Sequence, residues 1–276
     1  MRLERLTISN IRNVAALELE LNPKLNLLWG PNGAGKTAIL EAVFLLSRGR
    51  SFRSGRTSSV IQTGRSALTV RAEIEDELHG HQSLAISRSS GGLTQLRIGG
   101  SKERLLSRMA ELLPLQLMLP DVSSLVFGSP GDRRRWLDWG MFHVEPHYLA
   151  LLRDYLRSLK QRNAALKSRT MDTDLDVWTQ QLESAATPLT EARRRYVNEL
   201  QPFLEESLRT LAPELDVEAV FYPGWAETER LSKVLGDQQA REVKLGVTQY
   251  GPQRADVRTE TSNRQATAAR SEFGPR

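Results

Sequence analysis

The stretch WGPNGAGKTAILEAV, residues 29–43, brings together residue types that bind phosphate. Glycines allow consecutive backbone N–H groups to turn towards phosphate oxygens, and a helix that follows them directs the positive end of its dipole at the same anion. The segment GPNGAGKT matches the pattern G-x-x-x-x-G-K-[ST], in which Lys36 reaches the β- and γ-phosphates and Thr37 ligates Mg²⁺. The predicted nucleotide-binding residues are Gly30, Pro31, Asn32, Gly33, Ala34, Gly35, Lys36 and Thr37.

The segments on either side of this loop predict a strand before it and a helix after it. LNLLW, residues 25–29, is an apolar run between Asn-Pro and Gly-Pro and predicts a buried strand. The apolar residues after Lys36 have helical spacing, and Glu41 lies on the opposite face of the predicted helix. Those apolar residues are Ile39, Leu40, Val43 and Phe44.

Two later regions predict different kinds of structure. ALTVRAEIE, SLAISRS and TQLRIGG, within residues 67–100, are β-like runs separated by Gly-containing turn signals and predict an antiparallel meander. Residues 130–211 are charged and carry apolar residues three or four apart, which predicts paired helices with a kink or a new helix start at Pro188. The two apolar stripes are Tyr148, Leu152, Tyr155 and Leu159, and Leu175, Trp178, Leu182, Ala185 and Leu189.

The composition excludes some classes of protein and leaves the partner open. The 276 residues include 38 Lys and Arg against 33 Asp and Glu, and the net charge of +5 only hints at an anionic partner. The lack of cysteine excludes disulfides and thiol chemistry. No apolar run is long enough to span a membrane, so we expect a cytoplasmic protein without a membrane partner.

Three blocks of this sequence resemble the RecF family of SMC- and ABC-type ATPases. The first runs from LTISNIRN through LNLLWGPNGAGKTAILEAVFLLSRGRSFR, and the second is GSPGDRRRWLDWGMFHVEPHYL with LLRDYLRSLKQRNAAL. The third is GPQRAD, residues 251–256, in which Gln253 replaces the histidine usual in that family. The resemblance extends from residue 1 to about residue 256.

This resemblance implies an ATP- and Mg²⁺-binding protein of DNA replication, recombinational repair and the SOS response. Proteins of this family bind DNA at single-strand gaps and duplex junctions, dimerise on ATP and work with RecO- and RecR-type partners. The resemblance also implies a fold: an α/β, P-loop ABC/SMC-like ATPase lobe with an antiparallel β meander, interrupted by a helical second lobe. We place the ATPase lobe at residues 1–128 and 213–256, the helical lobe at 129–212 and a disordered, polar, non-family tail at 257–276.

Two arginine clusters have both a functional and a structural interpretation. RGRSFRSGR carries Arg48, Arg50, Arg53 and Arg56, which the resemblance places near nucleotide or DNA but which equally suit a solvated basic loop. The second cluster is Arg133, Arg134 and Arg135, for which ion pairs with Asp132 and Asp138 are slightly favoured over DNA contacts.

The motifs that complete an ABC-type site are not found in this sequence. Such a site needs a strand ending in Asp for Mg²⁺, a Glu that activates water and a signature helix from a second subunit. SSGGLTQ, residues 89–95, mimics a signature but predicts a hairpin turn, and LQLMLPD, residues 115–121, lacks a second acid. We therefore predict no catalytic residue and little hydrolysis of ATP. The sequence also does not support an ATP-dependent homodimer. A small-molecule kinase and a catalytically inactive interaction module remain as alternatives.

Overall fold

A computed structural model of the chain describes residues 1–55, 59–76, 79–119, 123–168 and 172–261. It divides into two compact units, residues 1–118 and residues 119–276. Mixed helices and strands with an antiparallel sheet confirm the predicted fold class.

The first unit contains a six-stranded antiparallel sheet with the order β2-β1-β3-β4-β5-β6. Alternating residues of its strands face the core, as the two-residue period of a strand requires. The strands are β1 (Arg2–Ile11), β2 (Val14–Glu20), β3 (Ala67–Asp76), β4 (Gly80–Ser89), β5 (Thr94–Ile98) and β6 (Ser101–Glu103).

Strands β3 to β5 confirm the predicted meander. β3 pairs with β4 over ten residues, and β4 pairs with β5 over five. The signature-like SSGGLTQ forms the turn between β4 and β5, where Gly92 has a φ of 86° and its N–H donates to Ser89 O at 3.0 Å. It is therefore a hairpin turn, as the flanking β-like runs indicated.

Two helices contribute to the core of this unit, α1 (Lys36–Arg48) and α2 (Leu106–Leu112). Their side chains join those of the sheet in one cluster that includes Leu45, Leu46, Met109 and Leu112. The apolar face of α1 was predicted only in part, because Leu40 is exposed whereas Glu41 is buried.

The prediction of a buried strand at residues 25–29 is wrong. This segment has no assigned strand, and no described residue pairs with it in a sheet. Leu25, Leu27 and Trp29 are 80%, 81% and 86% exposed. The apolar alternation marks a segment suited to a sheet, but a strand also needs a hydrogen-bonded neighbour, which the sequence pattern does not specify.

The second unit is mainly helical. Its helices are α3 (Ser123–Phe127), α4 (Pro130–Val144), α5 (Tyr148–Ser168), α6 (Asp172–Leu211), α7 (Leu231–Asp237) and α8 (Gln239–Leu245). Both predicted apolar stripes pack inside this unit: Tyr148 and Tyr155 of α5 and Leu182 and Leu189 of α6 belong to one buried cluster. No described helix is long and apolar enough to cross a membrane.

Of the two alternatives predicted at Pro188, the new helix start is wrong, because helix α6 continues through the proline and apolar residues on either side of it remain packed in the core. The tail predicted from residue 257 is also wrong for its first residues, because β8 (Asp256–Thr261) pairs with β7 (Val217–Tyr222). Residues 262–276 lie outside the described part of the chain.

Candidate nucleotide-binding site

The predicted phosphate loop leads directly into α1. Gly33 and Gly35 have φ angles of 83° and 94°, which only glycine adopts without strain, and Gly35 is the N-cap of the helix. No side chain caps α1, and its first turn carries no acidic residue. The first N–H groups of α1 therefore remain available for an anion, and the dipole of the helix favours a negative charge at this end.

The two polar side chains of the loop occupy different environments. The ammonium group of Lys36 donates to Gly30 O at 2.6 Å and to Pro31 O at 2.9 Å. Thr37 is exposed in the first turn of α1. The lysine therefore lies across the loop that its sequence pattern assigns to phosphate, and the threonine beside it is exposed to solvent.

The turn between β1 and β2 supports the phosphate loop from one side. Asn13 donates to Gly33 O at 2.5 Å. A Cβ added to Gly35 would lie 2.9 Å from a methyl group of Val14, so only glycine allows this close approach without a shift. The hairpin therefore holds two of the glycines that shape the loop.

Arg12, in the same turn, ties the hairpin to α1. It has a φ of 53°, and its Nε and one terminal nitrogen donate to the two oxygens of Glu41 at 2.9 and 2.7 Å. Glu41, which is 0% exposed, also accepts a short hydrogen bond from Ser51 Oγ. Burial alone would raise the pKa of the Glu41 carboxyl, but the hydrogen bonds from Arg12 and Ser51 hold it below its ordinary value. The carboxylate is thus ionised and fully engaged at neutral pH.

The arginine-rich segment follows α1 directly. Arg48 is partly buried against the ring of Phe44, and burial together with the charge of Arg50 lowers its pKa to about 10. Arg50 and Arg53 are exposed, and Arg56 lies outside the described residues. Two of the four predicted DNA-contacting arginines therefore present their charges to solvent in the described structure.

The second arginine cluster makes structural contacts, but with mostly different partners from those predicted. Arg133 pairs with Asp256 at 2.7 Å, and Arg134 donates to Ala255 O at 2.7 Å. Only Arg135 pairs with Asp132, as predicted.

The other predicted acid of that cluster, Asp138, instead pairs with Arg193 at 2.7 Å. Arg133, Arg134 and Arg193 also contact residues that are distant in sequence, because the segment Gly251–Asp256 folds back onto α4 and α6.

Gln253, where the family usually has histidine, lies within a hydrogen-bonded loop. Its Oε1 accepts a short hydrogen bond from Tyr155, and its Nε2 donates to Tyr250 O at 3.1 Å and Thr248 O at 3.3 Å. Arg254, next in the sequence, is exposed. The glutamine therefore holds the loop between α8 and β8 against α5.

Sequence reasoning missed Arg12, Asn13, Glu41 and Ser51 as part of the site. The first two belong to NIRN, a polar turn between two alternating apolar runs, and that interruption was the available signal. Glu41 carried no signal, because its position on the predicted polar face of α1 suggested exposure rather than burial.

Comparisons with known proteins agree with the resemblance seen in the three blocks. The family model described as the RecF/RecN/SMC N terminal domain matches residues 2–192. The DNA replication and repair protein RecF of Pseudomonas fluorescens strain SBW25 is 42% identical over 262 residues, which cover 94% of this chain and 71% of the relative. The RecF protein of Pseudomonas syringae pv. syringae strain B728a is 40% identical over 259 residues, with the same coverage.

Solved structures share the fold at lower sequence identity. A structure of the recombination mediator protein RecF-ATP in the RecFOR pathway has a TM-score of 0.81 and 22% identity, over 94% of this chain and 73% of that chain. The Smc head domain of Pyrococcus furiosus has a TM-score of 0.51 and 14% identity, over 84% and 69% of the two chains. The family model and the curated relatives together show that this chain belongs to the RecF family of DNA replication and repair proteins.

Proposed function

We propose that this chain binds ATP with Mg²⁺ at residues 30–37 and acts on DNA in replication, recombinational repair and the SOS response. The observation that carries the proposal is the geometry of the loop. Two glycines with positive φ lead into a helix without a side-chain cap, and a lysine and a threonine stand at its first two positions. This arrangement suits the phosphates of a nucleotide.

The backbone and the side chains of the site have different roles in this proposal. The backbone N–H groups of residues 33–37 bind phosphate oxygens, and Lys36 exchanges its two carbonyl partners for the β- and γ-phosphates. Thr37 supplies the hydroxyl that ligates Mg²⁺, which when bound neutralises phosphate charge. Asn13 fixes the position of Gly33 by donating to its carbonyl oxygen.

In this proposal the chain binds ATP, but its described residues support little hydrolysis of ATP. Hydrolysis needs a residue that orients the attacking water, and in an ABC-type site this residue is a Glu. Glu41 is the one acidic residue of α1, and both its oxygens are already engaged by Arg12 and Ser51. DNA-stimulated release of phosphate that disappears in Lys36→Ala would contradict this part of the proposal.

DNA is proposed to contact the exposed arginines after α1 through its phosphate backbone. Arg50 and Arg53 carry charge to solvent, and phosphate contacts do not require a specific base sequence. Single-stranded, gapped or junction DNA is the proposed partner, together with RecO- and RecR-type proteins, since one structural relative is the recombination mediator protein RecF of the RecFOR pathway.

Equilibrium binding of a fluorescent ATP analogue with Mg²⁺ tests the nucleotide site. We expect saturable binding that Lys36→Ala weakens at least tenfold, because the charge opposite the β- and γ-phosphates is lost. Lys24→Ala is the matched control, since Lys24 is an exposed lysine in the segment before the loop. Equal binding by all three proteins would refute the proposed site.

DNA binding is tested separately by titrating salt. Neutralising phosphates releases counterions, so the logarithm of the binding constant falls with the logarithm of the salt concentration. We expect Arg50→Ala/Arg53→Ala to weaken binding and to reduce that slope by about 1 to 2. Arg157→Ala, at an exposed arginine of α5, is the control.

A further inference from the structure

The second unit contains an apolar groove of about 390 Å³ beside the C-terminal half of α6. Leu200, Phe203 and Leu204 line it from α6, and Ala219 and Thr259, which are directly paired, line it from β7 and β8. Phe203 is 66% exposed although it belongs to this apolar lining. An open apolar groove of this kind is typical of a surface that binds another molecule.

The elements that line the groove are tied together by side-chain hydrogen bonds. Gln201 Oε1 accepts from the N–H of Ala219 at 2.9 Å, which joins α6 to β7. Arg133 is the one charged side chain among the described lining residues, and it donates to the carboxylate of Asp256 and to Gly128 O. The groove is therefore formed before any partner arrives, which lowers the entropy that binding must overcome.

The polypeptide that borders the groove is strongly acidic. Residues 199–218 carry one basic side chain, Arg209, against six acidic ones, all exposed, so this segment has a net charge of −5. The whole chain has a net charge of +5, so its other residues together carry +10. The surroundings of the groove therefore attract a basic partner and repel the phosphates of DNA. The acidic residues are Glu199, Glu205, Glu206, Glu214, Asp216 and Glu218.

The shape of the groove suits a helix. Leu200, Leu204 and Ser207 are spaced 4 and 3 along α6 and extend over about 10 Å, at 1.5 Å per residue. An amphipathic helix presents apolar side chains at similar spacing over the same length. Ala219 and Thr259 line the groove from one face of the β7–β8 pair, whereas an added strand would need its edge.

We propose that this surface, here named the acidic groove, docks an amphipathic helix of a partner protein. The apolar face of that helix enters the groove, and its Lys and Arg residues pair with the carboxylates that border it. Glu205 and Glu206 are the first of these, because they follow Leu204 directly and are exposed. The proposal goes beyond the proposed function, since it requires neither nucleotide nor DNA.

The test uses three fluorescent peptides of about 18 residues, a length sufficient for a helix. The first contains Leu and Lys, with every Leu on one helical face. The second replaces each Lys by Glu, and the third distributes the same Leu and Lys residues around the helix. Fluorescence anisotropy measures the affinity of the full chain for each. We expect the first peptide to bind about tenfold more tightly than the others, and salt to weaken its binding.

Two variants locate the binding to the apolar lining. Phe203→Ser removes an exposed apolar contact, so we expect it to weaken binding of the Leu/Lys peptide about fivefold or more. Leu156→Ser is the matched control, because Leu156 is a 49% exposed leucine of α5 that does not line the groove. It should bind the peptide as the unaltered chain does.

Two more variants test the charge. Glu205→Lys/Glu206→Lys places positive charge beside the groove and should also weaken binding of the Leu/Lys peptide about fivefold or more. Glu18→Lys/Glu20→Lys, on the exposed side of β2, changes the net charge equally and should leave binding unchanged. All these side chains are exposed, so the test remains decisive if Phe203→Ser fails to fold.

The remaining outcomes overturn the proposal. One is failure of the unaltered chain to bind the Leu/Lys peptide, and another is equal binding by the groove variants and their controls. Equal affinity for the Lys and Glu peptides would make the groove a site for apolar ligands of any charge. A dimer of the unaltered chain that Phe203→Ser dissociates in sedimentation would assign the groove to a second copy. Binding of ATP and of DNA should be the same in all these variants, which separates this proposal from the proposed function.

Discussion

Arg133 at the start of α4 donates two hydrogen bonds, of 2.7 and 2.9 Å, to the carboxylate of Asp256 at the start of β8. The two residues are 123 positions apart in the sequence. Arg258 also donates to this carboxylate, at 3.1 Å. The pair joins the first long helix of the second unit to its last described strand. It therefore connects two elements from opposite ends of the sequence of that unit.

Replacing Arg133 by methionine should destabilise the second unit. Asp256 is 4% exposed, and removal of its main partner leaves a buried charge that Arg258 compensates only in part. We expect a loss of about 3 kcal/mol in the free energy of unfolding, the lower end of the range for a broken buried pair. Urea unfolding followed by circular dichroism measures it. Arg135→Met, which removes an exposed pair with Asp132, should cost no more than about 0.5 kcal/mol.

The stability supplied by Asp256 should depend on pH. Burial alone would raise the pKa of Asp256, but the hydrogen bonds and charges of Arg133 and Arg258 hold it below its ordinary value. The stabilisation is therefore complete above the pKa of the unfolded chain, about 3.9, and is lost as the pH falls through the lower folded pKa. The difference in unfolding free energy between the unaltered chain and Asp256→Asn should shrink below about pH 4.

A constant difference between these two proteins from pH 7 to pH 3 would contradict this assignment. Asp154→Asn is a suitable control, because Asp154 faces Arg157 at 3.5 Å with both side chains largely exposed. Its effect on stability should be small throughout, since exposed pairs contribute little.

The phosphate loop and the paired helices could be predicted from sequence because their signals are local. A phosphate loop is defined by eight consecutive residues, and an apolar stripe such as that of Tyr148 and Tyr155 repeats within one helix. The partner of Asp256 could not be predicted in this way. Both Asp132 and Asp138 are nearer to Arg133 in sequence, and only the return of the chain at residues 251–256 brings Asp256 to it.

The burial of Glu41 shows the same limit in the first unit. Its place in the helical pattern suggested a solvent-exposed side chain, but Arg12, 29 residues earlier in the sequence, donates to its carboxylate. The sequence pattern within α1 predicts which of its residues share a face. It does not predict which distant charged residue packs against that face.

Gly140 should be intolerant of a side chain. An added Cβ would lie 2.1 Å from the hydroxyl oxygen of Tyr196, where α4 meets α6. We expect Gly140→Ala to lower the free energy of unfolding by about 2 kcal/mol, as overpacking does in a tight contact. Gly131→Ala is the control in the same helix, because the nearest atom to its added Cβ is 3.4 Å away.

The cause of that loss can be checked with a double-mutant cycle. Tyr196→Ala removes the clashing ring, so Gly140→Ala should cost less in that background than in the unaltered chain. An interaction of about 1 kcal/mol or more between the two changes would support the contact, because residues in direct contact are not additive. Additive effects would show that the loss of stability in Gly140→Ala does not arise from contact with Tyr196.

The apolar segment before the phosphate loop should promote self-association. Leu25, Leu27 and Trp29 lie in a segment that pairs with no described strand, and each is at least 80% exposed. Unpaired backbone with apolar side chains is a template for pairing with another chain. Leu25→Lys/Leu27→Lys should therefore reduce the association seen by light scattering at equal concentration, without lowering the melting temperature. Leu93→Lys, at an isolated exposed leucine in a turn, should have little effect on either quantity. If the double variant associates as strongly as the unaltered chain, this segment is not the surface responsible.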